Sequence, residues 1–237
     1  MGRGRPSAGR RDTSVADENL FSPEPGRIGS DESGKGDFFG PLVVAAFFMP
    51  EGQEGVLREL GVKDSKRTSD RRCREIAAAL KKGYVHSVVA VGPEKYNELY
   101  GKLRNLNRLL AWAHARAIEN ILERVPAGKA VTDQFGDEKF VRNALLKKGR
   151  AIDLVQMPRA EEDPAVAAAS ILARAEFLDR LRSLGREVGA ELPKGASAAV
   201  EEAAVRLVRA KGPAILERVA KMHFKTTARV LEQAGRR

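Results

Sequence analysis

The stretch from residue 28 to residue 41 constrains the fold of this chain more than any other. It places two adjacent carboxylates, Asp31 and Glu32, directly before a glycine-rich turn, and an unbroken apolar run follows at 42–49. Such a run between turn residues is typical of a buried strand, so we expect the acids at the end of one strand and the turn leading into the next. Adjacent carboxylates repel each other unless a positive charge lies between them. A divalent metal ion, which takes oxygen ligands, is the usual solution.

Two other interpretations of this stretch remain open. An acidic pair beside glycines is often only a solvated turn. Residues 29–35 also fit G-x-x-x-x-G-K, the beginning of a nucleotide-binding P-loop. Against the P-loop, Gly36 stands where the magnesium-binding Ser or Thr belongs. The acids would also lie inside a cradle for anions, and the following segment has the pattern of a strand and not of a helix.

Hydrophobic periodicity predicts an α/β chain whose elements run in the order β-β-β-α-β-α-β, followed by further helices. This order suits a mixed sheet flanked by helices. Strands are predicted at 27–31, 41–49, 84–91, 129–135 and 152–157. Helices are predicted at 53–60, 70–82, 98–122, 137–148, 164–185, 198–211 and 213–234.

Further acidic residues occur where ligands commonly gather. Asp133 is predicted at the C-terminal end of a strand, the edge at which open α/β sheets bind ligands. Glu161 and Glu162 precede Asp163, which is followed by proline and an alanine-rich segment and is a good N-cap for a helix. The two glutamates can be catalytic carboxylates, or they can be first-turn acids that interact favourably with the helix dipole.

Two segments have more than one interpretation. Ser65 and Lys66 offer a hydroxyl and a positive charge to a phosphate, although the same residues suit a plain capped helix start. His114 lies within the helix predicted at 98–122, and a single histidine there is more often structural than catalytic. We assign it no role.

Composition narrows the classes of partner and location. The formal net charge is +10, which favours a polyanionic partner. The chain has one cysteine, so no disulfide framework within it is available, and a reducing cytoplasm is expected. No apolar run approaches the ~20 residues that span a bilayer, and we expect no association with a membrane. Residues 1–26 are rich in Gly, Pro, Ser and Arg, and we expect a disordered basic arm.

The motifs together resemble the type 2 ribonucleases H, above all ribonuclease HIII. Asp31-Glu32, Gly34-Lys35-Gly36 and Phe39-Gly40-Pro41 match the first family motif in order. The segment 64–66 resembles the Asp-Ser-Lys motif, and 159–174 resembles the fourth motif, an acid ahead of a small-residue helix. The segments 192–197 and 220–227 also resemble family motifs, so the likeness extends over about residues 27–230.

The resemblance implies a ribonuclease H-like mixed five-stranded sheet flanked by helices, with a C-terminal helical extension. Residues 27–237 would form this catalytic domain. Residues 1–26 are too short to supply the folded N-terminal substrate-binding domain usual in ribonuclease HIII, so we expect the chain to lack one. The family implies a monomer that binds RNA/DNA hybrid.

The implied activity is two-metal hydrolysis of the RNA strand by two Mg²⁺ or Mn²⁺ ions, which leaves 5′-phosphate and 3′-hydroxyl ends. Asp31, Glu32, Asp133 and Glu161 are the expected catalytic and metal-binding residues, with Asp31 bridging the ions and Glu162 open as the alternative to Glu161. The expected substrate-binding residues are Gly34, Lys35, Gly36, Ser65, Lys66 and Lys194.

Two alternative functions remain. A ribonuclease HII-type enzyme would cut at single ribonucleotides in duplex DNA. A hybrid-binding module of the same fold would not cut at all, but carboxylates beside phosphates repel unless metal ions intervene.

Overall fold

The computed structural model describes residues 25–63, 68–133, 138–145 and 149–236. Residues 1–24 of the predicted arm, and the predicted substrate-binding residues Ser65 and Lys66, lie outside the described residues. Within that part of the chain, no helix is both long enough and apolar enough to cross a membrane.

The described residues contain the predicted five-stranded mixed sheet. Its strand order is β3-β2-β1-β4-β5, with β2 antiparallel to both β1 and β3, and β4 parallel to both β1 and β5. The strands are β1 (Gly26–Ser33), β2 (Leu42–Pro50), β3 (His86–Val91), β4 (Lys129–Asp133) and β5 (Asp153–Met157).

The helices cover both faces of the sheet, which explains why the sequence of β2 is a continuous apolar run. All of its residues from Leu42 to Met49 are buried. The helices in the described part are α1 (Glu54–Glu59), α2 (Asp70–Gly83), α3 (Pro93–Leu103), α4 (Leu106–Leu122), α5 (Glu138–Ala144), α6 (Pro164–Val188), α7 (Ala198–Lys211), α8 (Ile215–Val219) and α9 (Lys225–Gly235).

Two helices pack directly on the central strands, one on each face. The alanine-rich α6 packs against β1 and β2, and α2 and α7 to α9 extend the same apolar cluster outward. On the opposite face α4 packs against β2 and β3 and joins the cluster that includes α5. The predicted fold class is therefore confirmed.

The close approach of α6 to the sheet depends on Gly29. A Cβ at this position would lie 2.1 Å from the carbonyl carbon of Ala165 and 2.2 Å from the nitrogen of Val166. Both atoms belong to backbone, so they cannot move aside as a flexible side chain could. Gly29 thus lets the first turn of α6 rest directly on β1, two residues before Asp31.

Two predictions of single long helices are wrong. The helix predicted at 98–122 consists of α3 and α4, because Arg104 has a left-handed φ of 47° and the Asn105 side chain caps α4. The helix predicted at 213–234 consists of α8 and α9. Between them, the backbone around Ala220 forms a bridge to Phe39 and cannot continue the helix.

The remaining elements occur where predicted, with different ends. The first strand continues to Ser33, so both acids lie within β1 itself. The predicted helix at 164–185 continues to Val188 and ends at Gly189, which has a left-handed φ of 62°. The described part of the strand predicted at 129–135 ends at Asp133.

We predict that Gly29→Ala destabilises the protein by more than about 2 kcal/mol, because the new methyl group overpacks a contact between two backbones. Gly101→Ala is the matched control. It lies in α3 with no neighbouring atom within 4 Å of a built Cβ, and it should be neutral or slightly stabilising. Urea unfolding measures both variants, and equal stabilities would contradict the close packing of α6 on β1.

Candidate active site

The four carboxylates predicted from the sequence line one cavity of about 570 Å³. Two of them, Asp31 and Asp133, lie at the C-terminal ends of β1 and β4. These strands are parallel, so their carboxyl ends meet at the same edge of the sheet. Further residues lining this cavity include Gly34, Lys35, Gly36, Ser170, Arg174 and Lys194.

Asp31 points toward the α6 face of the sheet. Burial and the neighbouring charge of Glu32 raise the pKa of Asp31 to about 6. Two hydrogen bonds oppose this shift, one from the Ser170 hydroxyl and one from the Glu32 backbone N–H, 2.8 Å from Oδ1. A buried carboxylate whose ionisation is hindered by a second carboxylate is a site that a cation would stabilise.

Glu32, the next residue of β1, points toward the α4 face, because successive side chains of a strand alternate. Its Oε2 lies 3.2 Å from His114 Nε2 and its Oε1 lies 3.2 Å from Lys35 Nζ. Burial opposes ionisation, but the hydrogen bond and charge of His114, assisted by Lys35, lower the pKa of Glu32 to about 2. Glu32 is therefore ionised at neutral pH.

His114, which has no role assigned from the sequence, lies against the candidate metal ligand Glu32. Its side chain is fully buried, and Nδ1 lies 2.9 Å from Ser30 Oγ and 3.4 Å from Thr132 Oγ1. Ser30 and Thr132 are paired across β1 and β4. Each hydroxyl residue directly precedes an acid in the sequence, but only the fold shows that both face one imidazole.

Asp163 is engaged in structural contacts, as its predicted role as N-cap requires. Its Oδ1 accepts a hydrogen bond from the backbone N–H of Ala165 at 2.8 Å, and its Oδ2 accepts one from Arg27 Nε at 2.7 Å. The Asp163 carboxylate therefore caps the N-terminus of α6 and links this helix to Arg27 of β1.

The two candidate glutamates are adjacent residues of a short 3-10 turn, Ala160–Glu162. Glu161 lines the same cavity as Asp31, Glu32 and Asp133, whereas Glu162 is exposed and faces a neighbouring groove. The turn is held against β4, because Asp133 Oδ1 lies 3.5 Å from the backbone N–H of its first residue.

The donor set suits a divalent cation, although the side chains do not yet surround one point. Among the described residues, no three His, Cys, Asp or Glu side chains are grouped closely enough to hold a single ion. Glu32 instead turns to Lys35 and His114. Because four carboxylates share one cavity and two of them are partly buried neighbours, the donor set fits hard cations.

The turn that follows β1 is anchored from a distant loop. Gly34 has a φ of 86°, and a Cβ there would lie 2.2 Å from the Pro41 carbonyl oxygen, so the turn requires glycine. The Asp37 carboxylate accepts a hydrogen bond from Gly195 N–H at 2.6 Å, and Phe38 N–H donates to the Gly195 carbonyl at 2.9 Å. These bonds fix the turn beside the cavity.

Lys221 holds the same turn from within the core. Its Nζ donates to the carbonyl oxygens of Asp37 and Gly40, both at 2.8 Å, and the residue is fully buried. Burial, partly offset by the charge of Asp37, lowers the pKa of Lys221 to about 7. The segment around Lys221 resembles a family motif, but this contact is not predicted from the sequence.

Lys194, a predicted substrate-binding residue, lies at the rim of the cavity. Its Nζ is 2.6 Å from Asp70 Oδ2, and Arg174 is 2.6 Å from Asp70 Oδ1. One carboxylate at the beginning of α2 therefore holds two cations beside the four acids, and Lys194 remains about half exposed.

Comparisons with known proteins show which family this chain is similar to. The profile of a family described as Ribonuclease HII matches residues 28–227. Ribonuclease HIII of Protochlamydia amoebophila is 46% identical over 209 residues, which cover 88% of this chain and 69% of the relative. Ribonuclease HIII of Chlamydia pneumoniae is 45% identical over 206 residues, which cover 84% of this chain and 68% of the relative. The crystal structure of Bst-RNase HIII in complex with Mn²⁺ superposes with a TM-score of 0.83 at 34% identity, covering 99% of this chain and 77% of that one.

The buried Lys221 predicts a specific dependence of stability on pH. Its folded-state pKa of about 7 lies below the ordinary value of 10.5, so the unfolded chain holds more protons between these values. The protein should therefore gain stability relative to Lys221→Met as pH rises from 7 toward 10.5, with no such gain below pH 7.

Urea unfolding at several pH values measures this difference, because other titrating groups contribute nearly equally to both proteins. Lys225→Met, which removes an exposed lysine from the start of α9, is the matched control and should remain parallel to the wild type. A constant difference between wild type and Lys221→Met across the range would contradict the prediction.

Proposed function

The chain belongs to the ribonuclease HII family and is a metal-dependent ribonuclease H, and from this premise we propose that it hydrolyses the RNA strand of RNA/DNA hybrids with two divalent metal ions. The observation that carries the proposal is the convergence of Asp31, Glu32, Asp133 and Glu161 on one cavity with basic residues at its rim. We assign the catalytic domain to residues 27–237 and a basic arm to 1–26, in a monomeric cytoplasmic protein.

The carboxylates have distinct roles in this proposal. Asp31 would hold both ions, because it adjoins Glu32 in β1 and accepts a hydrogen bond from Ser170 of α6. Glu32 and Asp133 would complete the ligand set, and Glu161 would orient the second ion and its water. When bound, Mg²⁺ or Mn²⁺ supplies an activated water and charge stabilisation at the leaving 3′ oxygen, and the expected products carry 5′-phosphate and 3′-hydroxyl ends. The structure of Bst-RNase HIII with Mn²⁺ supports this choice of ions.

The turn formed by Gly34, Lys35 and Gly36 is the proposed reader of the RNA strand. The turn is fixed by Gly195 and Lys221, and a built Cβ on Gly36 would meet nothing within 4 Å, so backbone groups there can approach a minor groove. The 2′-hydroxyl displayed in that groove distinguishes RNA from DNA. Lys194, at the rim of the cavity, is proposed to contact phosphate oxygens.

Cleavage at single ribonucleotides in duplex DNA is the second candidate function. The family profile carries the description Ribonuclease HII, whereas the curated relatives are named Ribonuclease HIII. Mapping the cut positions on a full hybrid and on a DNA duplex with one ribonucleotide separates the two activities. Efficient cleavage of the hybrid with little cleavage at the single ribonucleotide is the result that the HIII relatives favour.

We predict that Asp31→Asn lowers kcat by at least about 10³-fold, because the bridging position loses its charge and the metal ligands act as a unit. Binding of the hybrid should change little. A labelled hybrid in Mg²⁺ or Mn²⁺ measures cleavage, and filter binding measures affinity. Asp179→Asn, on α6 in a half-exposed ion pair with Arg74, is the matched control. Near wild-type turnover of Asp31→Asn would overturn the assignment.

The two adjacent glutamates provide an internally matched test. Glu161→Gln should reduce kcat by about 10²-fold or more, because it removes a charge from the cavity. Glu162→Gln removes the same charge from the next residue, which is exposed outside that cavity, and should retain nearly full turnover. Steady-state kinetics on the hybrid compares the two, and the opposite order of effects would assign the fourth carboxylate to Glu162.

A further inference from the structure

We propose that His114 is a positioning residue that holds the Glu32 carboxylate in the orientation required to bind a metal ion. The inference rests on the proposed function, since it takes Glu32 as a metal ligand. It adds a residue from α4, the helix opposite α6, to a site whose expected ligands come from β1, β4 and the 3-10 turn before α6.

The buried neighbours of His114 on its own helix are apolar. It lies in the middle of α4 among the buried residues Leu110, Ala111, Ala113 and Ala117. A polar group buried without a partner costs about 1–3 kcal/mol, and an apolar side chain would suit the same position better if only packing mattered. Its ring nitrogens contact Ser30, Glu32 and Thr132, which lie on the strands that carry the acids.

The direction of the hydrogen bonds follows from the chemistry of the partners. An ionised carboxylate only accepts hydrogen bonds, so His114 Nε2 carries the hydrogen that Glu32 Oε2 accepts. The other ring nitrogen, Nδ1, lies 2.9 Å from Ser30 Oγ, a hydroxyl that can either donate or accept a hydrogen bond. The chain Ser30 to His114 to Glu32 thus fixes the plane of the ring.

The same ring also joins the two strands. Ser30 and Thr132 are partners in the parallel pairing of β1 with β4, and His114 Nδ1 is 2.9 Å from one hydroxyl and 3.4 Å from the other. Each hydroxyl residue directly precedes an acid, Asp31 or Asp133. Contact with one rigid ring therefore restrains the relative position of the strand ends at which the carboxylates are carried.

The two oxygens of Glu32 have partners of different character. Oε2 is bound to the fully buried His114, and Oε1 is bound to Lys35, whose side chain is 41% exposed. An exposed lysine is easily displaced, whereas the imidazole is fixed by packing. A metal ion can therefore take the place of Lys35 at Oε1 while His114 keeps the carboxylate in place. Hydrogen-bonded partners of ligating carboxylates typically change metal affinity 10- to 100-fold when removed.

The test compares Mn²⁺ binding by the full-length wild type, His114→Leu and His114→Gln, measured by isothermal titration calorimetry without nucleic acid. The glutamine amide places an N–H donor near the position of Nε2, whereas leucine has none. We expect His114→Leu to weaken Mn²⁺ binding about 10- to 100-fold and His114→Gln to recover most of that loss. In kinetics, the concentration of Mn²⁺ needed for half-maximal rate should rise in parallel, with little change in KM for the hybrid.

Glu119→Leu is the control for a merely structural effect. Glu119 is buried on the same helix and accepts a hydrogen bond from Gly149 N–H at 3.0 Å, so its loss should lower the melting temperature without changing Mn²⁺ affinity. Ser30→Ala is a smaller change that keeps the result interpretable if His114→Leu does not fold. It removes the hydroxyl partner of Nδ1 and should weaken Mn²⁺ binding by several-fold.

The outcomes separate this inference from the proposed function. If Glu32→Gln loses Mn²⁺ binding while His114→Leu and Ser30→Ala bind it as the wild type does, the positioning role is wrong and the metal site stands. If His114→Gln binds as weakly as His114→Leu, the N–H donor is not responsible and the inference is also overturned. If Glu32→Gln itself binds Mn²⁺ normally, the proposed ligand set fails, and the role of His114 fails with it.

Discussion

The repulsion between two buried carboxylates at the end of β1 is the constraint on which the rest of the site depends. Asp31 and Glu32 are adjacent, yet strand geometry directs them to opposite faces of the sheet. Each face must therefore supply its own polar partner within an apolar layer. Ser170 of α6 forms a hydrogen bond with Asp31, and His114 of α4 forms one with Glu32. The two helices that cover the sheet are thus also the two sides of the site.

This arrangement requires both helices to lie close to the central strands. On one face Gly29 allows the backbone of α6 to touch β1, and the ion pair between Arg27 and Asp163 fixes where α6 begins. On the other face, small residues of α4 such as Ala113 and Ala117 are fully buried against the sheet. Bulkier residues on either helix would separate Ser170 or His114 from the acid that it contacts, so close packing and catalytic geometry have the same origin.

The turn after β1 shows how distant segments complete the site. Gly195 holds Asp37, and Lys221 binds the carbonyl groups of Asp37 and Gly40 from the core. Burial of a lysine is energetically unfavourable unless its N–H donors are hydrogen-bonded. Here the hydrogen bonds of Lys221 fix the backbone turn that is proposed to read the RNA strand. Lys221, which lies between α8 and α9, therefore connects the C-terminal helices to the site through this turn.

Sequence patterns were sufficient to predict the order of strands and helices along the chain, the acids near strand ends and the start of α6. These follow from periodicity and capping, which depend on neighbours in the chain: the apolar run of β2, and Asp163 before Pro164. The sequence did not determine the break at Arg104, because the fused pattern of α3 and α4 is helical throughout.

Only the tertiary structure decided which of Glu161 and Glu162 faces the cavity, and only it revealed the contacts of His114 and Lys221. The 3-10 turn that directs Glu161 is held by Asp133 from another strand. His114 lies 82 residues from Glu32, and Lys221 lies 181 residues from Gly40. Such contacts leave no local pattern, because a buried polar side chain is satisfied by whichever groups the fold brings to it.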